Sequence, residues 1–78
     1  MDTEKKAPAV MTGIIARIVE DKGFGFIKVK TLSRDVFFHA RDLINIPFEQ
    51  LQKGDKLQFE VYQSEKGYNA QQIEFVEA

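Results

Sequence analysis

Two short stretches of this chain place large rings on alternate residues: Lys22-Gly23-Phe24-Gly25-Phe26-Ile27 and Asp35-Val36-Phe37-Phe38-His39. A period of two belongs to a β-strand, where successive side chains point to opposite faces. In the first stretch Phe24, Phe26 and Lys28 share a face, and Gly25, Ile27 and Val29 share the other. In the second, Asp35, Phe37 and His39 oppose Val36 and Phe38. A domain this small can bury only one face of each strand. If Ile27, Val29, Val36 and Phe38 form the core, then Phe24, Phe26, Phe37 and His39 are expected outside it.

The rest of the chain fits the same strand grammar. Gly13 to Val19 is apolar and β-branched apart from Arg17, which predicts a first strand. Glu20-Asp21-Lys22-Gly23 is a turn signal, so the first strand and Phe24–Val29 should form a hairpin. Gly25 inside a strand points to a bend, a bulge or a close approach. Asp35–Ala40 reads as the third strand. Arg41 to Gly54 is the longest irregular stretch, with a helical turn expected at Arg41–Ile44 and Leu43 and Leu51 as plugs for the core. Lys56–Gln63 alternates, with Leu57, Phe59 and Val61 inward and Gln58, Glu60 and Tyr62 outward. Ser64-Glu65-Lys66-Gly67 turns the chain into a last strand, Tyr68–Val76, with Tyr62 and Tyr68 placed to pair across the turn. Five strands at short spacing predict an all-β fold, a small barrel or sandwich. Residues 1–10 mix charges with Ala and Pro and are expected to be a disordered tail, leaving 11–78 as the domain.

Composition narrows the function. With 78 residues the chain makes one domain. A domain of this size hides only roughly 60% of its unfolded surface. Seven Phe and two Tyr are ample for such a core, which leaves rings for use outside it. The absence of cysteine removes disulfides and thiolate metal sites. No apolar run approaches a membrane span, and no signal-peptide pattern follows Met1, so a reducing, cytoplasmic setting is expected. The formal charge of −1 argues against gripping duplex phosphates by charge alone. It is compatible with single strands, where stacking supplies much of the binding energy.

Outward rings beside lysines suit stacking on unpaired bases. Lys22 can neutralise a phosphate or donate to a base beside Phe24. Lys28, Lys30, Arg34 and Arg41 read equally well as phosphate contacts or as solvated charges. Phe48, next to Pro47, reads equally well as a stacking ring or as a loop plug. His39 has no second His or Cys to share a metal, so it is expected to stack or to hydrogen-bond a base. No Ser-His-Asp set, phosphate loop or zinc spacing is present. Asp35 and His39 lie about 13 Å apart along an extended strand and cannot work as an acid–base couple. A binding protein is expected, with no enzyme activity, no cofactor and no small-molecule substrate.

These residues resemble the cold-shock domain family. Lys22-Gly23-Phe24-Gly25-Phe26-Ile27 is similar to the family's first ribonucleoprotein motif, and Asp35-Val36-Phe37-Phe38-His39 to the second. Gly13, Phe48, Leu51, Gly54, Phe59, Gly67 and Ala70 add matches between Thr12 and Val76. The resemblance implies a five-stranded antiparallel Greek-key barrel of the oligonucleotide-binding type. It implies binding of single-stranded RNA or DNA with weak sequence preference, and action as an RNA chaperone or expression regulator. By position it implies binding roles for Lys22, Phe24, Phe26, Phe37, His39 and Phe48. The chain departs from the family where the usual Lys-Trp-Phe-Asn is replaced by Ala16-Arg17-Ile18-Val19. A further aromatic after the His is replaced by Ala40, and Ala-x-Asn-Val by Ala70-Gln71-Gln72-Ile73. Arg17 is the candidate substitute for the missing Trp, because a guanidinium plane stacks on bases and meets phosphate.

The expected site is therefore Arg17, Lys22, Phe24, Phe26, Lys28, Phe37, His39 and Phe48, on a monomer. The alternative is a degenerate barrel that binds a protein partner through an apolar patch of Phe and Ile18.

Overall fold

The computed structural model describes residues 9–76. β1 spans Ala9–Val19, β2 Phe24–Lys28, β3 Val36–His39, β4 Lys56–Ser64 and β5 Gly67–Phe75. They close into a barrel in the order β1-β2-β3-β5-β4. β4 returns beside β1 after the β1-β2-β3 meander, which is the Greek-key path.

Four of the five pairings are antiparallel, and the closing β3–β5 pair is parallel. The expected antiparallel barrel is what forms, with this one-pair seam as its parallel closure. The two strands meet through a single register pair, Phe37 with Asn69. A parallel pair needs a long connection. The Arg41–Gly54 stretch together with β4 supplies it.

β1 begins at Ala9, inside the span expected to be tail. Ala9 and Val10 are held by ladder pairing to Val61 and Glu60 of β4. The tail expectation for residues 1–8 lies outside the described residues, as do residues 77 and 78. β1 serves two neighbours in turn: Ala9–Ile14 pairs with β4, and Ile14–Val19 pairs with β2. The register slips by one residue between Ile15 and Arg17. Such a bulge bends the strand and strengthens its twist, as a strand shared between two sides of a closed barrel must.

The core is the inner face that the alternation predicts. Ile27, Val36, Phe38, Leu57 and Ile73 are wholly buried, and Val29 and Leu51 nearly so. Phe59 and Val61 join them from β4. Two glycines permit the tightest approaches. A Cβ on Gly25 would lie 2.6 Å from the Arg17 carbonyl oxygen and 2.7 Å from the Phe38 ring. A Cβ on Gly13 would lie 2.6 Å from Ile27 and 2.7 Å from the Lys28 carbonyl oxygen. The costly glycine inside β2 is thus what lets the Phe38 ring fill the barrel.

The long connection contains two 3-10 turns, Ala40–Asp42 and Phe48–Gln50. The first lies one residue before the start expected for a helical turn. Leu51 is in the core, and Leu43 packs against it while bridging to Ile73. Tyr62 and Tyr68 do not face each other: Tyr62 pairs with Asn69, and Tyr68 pairs with Gln63. The two-residue turn at Glu65-Lys66 sets that register. Among the described residues no helix is long and apolar enough to cross a membrane.

Candidate nucleic-acid interface

β2 and β3 lie side by side with Phe24 opposite His39, Gly25 opposite Phe38, and Phe26 opposite Phe37. Residues directly opposite on an antiparallel pair share a face. Gly25 and Phe38 point inward, so Phe24, Phe26, Phe37 and His39 all point outward. The three outer rings touch one another. Phe24 and Phe37 have centroids 5.4 Å apart at 42°. Phe26 lies 6.0 Å from Phe24 and 5.9 Å from Phe37, edge to face in both cases. These separations fall within the favoured range for aromatic pairs.

Mutual contact corrects one expectation. The rings face out, yet each is half-buried rather than fully exposed. Three large side chains on neighbouring strand positions necessarily cover each other's edges. What remains open is a shared ring surface, firmer than three separate side chains.

His39 stands at the end of this surface, half-buried, opposite Phe24. Its Nδ1 accepts a hydrogen bond from the Arg41 backbone N–H at 3.1 Å and caps the following 3-10 turn. A nitrogen that accepts carries no proton, so the ring's proton sits on Nε2. That leaves Nε2–H as the donor available to a ligand.

Arg17 is exposed and pairs with Phe26 across the β1–β2 ladder. The bulge at Ala16 puts it there. Ile15 and Ile27 are buried partners, and one residue is skipped before Arg17 meets Phe26. Without that slip Arg17 would fall on the wrong face, since a one-residue shift reverses sidedness. Ile18, opposite Gly25, instead faces inward and packs against the core. Ile18 is therefore neither a lost stacking platform nor part of an outer apolar patch.

Lys22 is exposed at the end of the 3-10 turn Glu20–Lys22, just before Phe24. Lys28 is exposed at the other end of β2, on the ring face. The rings thus lie between two ammonium groups. Phe48 is not brought to this cluster by any ring contact. It packs against the core, its centroid 6.4 Å from that of buried Phe38. Phe48 thus packs as a loop plug would, and part of its ring stays uncovered.

Sequence reasoning missed Lys56. It pairs with Ile14 from β4, while Lys28 pairs with the same Ile14 from β2. Nothing in the local sequence around Lys56 announces this, because the two lysines come to flank Ile14 only through barrel closure. Among the described residues no group of His, Cys, Asp and Glu is gathered as metal ligands would be.

A five-stranded oligonucleotide-binding-type barrel with clustered outer rings defines a small class of binding domains. Residues 11–76 match the family model described as "'Cold-shock' DNA-binding domain", and the chain belongs to that family. The cold shock-like protein CspG of Shewanella violacea is 40% identical over 62 residues, covering 80% of this chain and 89% of that protein. A cold shock-like protein of Aquifex aeolicus is 38% identical over 61 residues, covering 78% of this chain and 87% of its own length. Among solved structures, Drosophila Unr CSD456 aligns with a TM-score of 0.74 at 24% identity. That alignment covers 90% of this chain and 28% of the Unr chain, and it speaks to the fold alone. The family consists of nucleic-acid binders rather than enzymes.

Proposed function

We propose that this protein binds single-stranded nucleic acid, RNA or DNA, by stacking unpaired bases on Phe24, Phe26 and Phe37. The observation that carries the reading is the outer ring cluster, with all three centroid separations at or below 6.0 Å. Arg17 extends the cluster beside Phe26, and the His39 Nε2–H offers a hydrogen bond at its edge. Lys22 and Lys28 meet the phosphates at either end. Every base presents a π-face, so sequence preference is weak.

On this reading open strands are preferred to duplexes, because paired and stacked bases do not offer their faces to a ring surface. A protein that binds only open strands shifts a hairpin equilibrium toward the open form by mass action. Loosening of RNA structure, and through it an effect on expression, follows from binding alone. A cytoplasmic monomer belongs to the same reading.

The test is a titration with short single-stranded DNA and RNA oligomers at low salt, repeated as salt rises. Binding that weakens steeply with salt is expected. No binding by either oligomer at hundreds of micromolar protein, or a salt-independent apolar contact with another protein, would overturn it. The protein-contact reading has lost one of its supports, since Ile18 packs inward.

A further inference from the structure

We infer that the nucleic-acid track does not stop at Lys28 but continues into a phosphate-binding cleft formed by Lys28, Lys30 and Lys56. This inference rests on the stacking reading and extends it to a second subsite. The cleft has a volume of about 420 Å³ and lies where β1 passes from β2 to β4. Its polar lining consists of the three lysines with Thr12 and Thr31, and no carboxylate lines it among the described residues. In a chain with 12 acidic and 11 basic residues, that segregation of charge favours an anion.

Topology makes the cleft. Ile14 is the one residue of β1 that pairs with both neighbours, Lys28 on one side and Lys56 on the other. Lys28 and Lys56 are therefore two strand spacings apart, about 10 Å between backbones. Lys30 follows Lys28 past the end of β2 and lines the same space. Ammonium groups on flexible stems, held on either side of a groove, suit successive phosphates better than a single compact ion.

Position identifies the occupant as the backbone of the same single strand. Phe24, Phe26 and Lys28 lie in line along β2, each about 7 Å from the next. A strand stacked on Phe24 and Phe26 that keeps its direction delivers its next phosphates to Lys28 and the cleft beyond. The threonine hydroxyls can donate to phosphate or sugar oxygens without reading base identity. The cleft then adds affinity and a length requirement but no sequence preference.

The test uses the full chain with Lys30→Gln and Lys56→Gln combined, leaving Lys28 and every ring in place. Both lysines are exposed, so the fold should be unaffected. Oligothymidylates of about four and about twelve nucleotides sample the short end and the middle of the site sizes of such barrels, about 4–16 nucleotides. The longer oligomer should bind the variant about tenfold more weakly at low salt, and the short one should bind unchanged. The slope of log affinity against log salt for the longer oligomer should shrink by about 1.4, two phosphates at about 0.7 each. Thr12→Glu, which places a carboxylate in the cleft, should weaken the longer oligomer in the same way. Equal weakening of both oligomers would overturn the cleft as a distinct subsite. Unchanged affinity and slope for the longer one would also overturn it, leaving the stacking surface intact. Failure of both oligomers to bind the wild-type chain would remove the stacking reading and the cleft with it.

Discussion

Phe37 and Phe38 are neighbours in sequence and opposites in circumstance. Phe38 is wholly buried, packed against Gly25 and Phe48. Phe37 is half-buried, and its ring lies against Phe24 and Phe26 on the outer face. The same contrast runs along β2, where Gly25 and Ile27 are inside and Phe24 and Phe26 are outside. Identical side chains hold the fold together on one face and are available to a ligand on the other. What differs is only the parity of their position in the strand.

That contrast can be broken from either side, and the inner face should break hardest. Phe38→Ala removes a full ring from a closed core and should cost about 3–5 kcal/mol. That rivals the low end of whole-domain stability, about 5 kcal/mol. Thermal unfolding followed by circular dichroism should show a largely unfolded chain, and a small shift in midpoint would contradict the assignment.

Gly25→Ala should destabilise by about 1–3 kcal/mol through overpacking, because the new methyl meets a backbone carbonyl and the Phe38 ring. Urea unfolding would measure it. An unchanged midpoint would mean that β2 can move away from Arg17 and Phe38.

The outer face should respond in binding. Phe26→Ala should lose about 1–3 kcal/mol of affinity for a single-stranded oligomer, the worth of one stacked base. Its unfolding midpoint should move much less than that of Phe38→Ala. A variant that loses folding and binding together would erase the distinction between the faces.

Arg17 should give the smallest effect. Arg17→Ala should weaken binding by about 0.5–1 kcal/mol, the scale of an exposed cation–π contact. Arg17→Trp should strengthen it, since a larger flat surface would then stand beside Phe26. Weaker binding by the Trp variant would show that Arg17 works through charge rather than its plane.

The faces were legible in the sequence because a period of two is written directly into it. Ile27, Val36 and Phe38 were expected inside, and all are fully buried. Leu57, Phe59 and Val61 followed from the same rule. Features that depend on closing the barrel were not legible. The parallel β3–β5 seam and the shared partner of Lys28 and Lys56 join residues far apart in the chain. The bulge at Ala16 is local, yet no Gly marks it, and strand alternation alone runs straight through it. It sets where Arg17 and Ile18 point, so the site's edge could not be drawn from the pattern. The tail boundary moved for a related reason, since Ala9 and Val10 become strand only because β4 is there to receive them.

The central claim is that one face of β2 and β3 is core and the other receives bases. The most direct test follows the phenylalanine ring signals by NMR while a single-stranded oligomer is added. The rings of Phe24, Phe26 and Phe37 should shift strongly from the ring currents of stacked bases, while those of Phe38 and Phe59 stay in place. Shifts confined to the inner rings, or absent from all five at saturating oligomer, would contradict it.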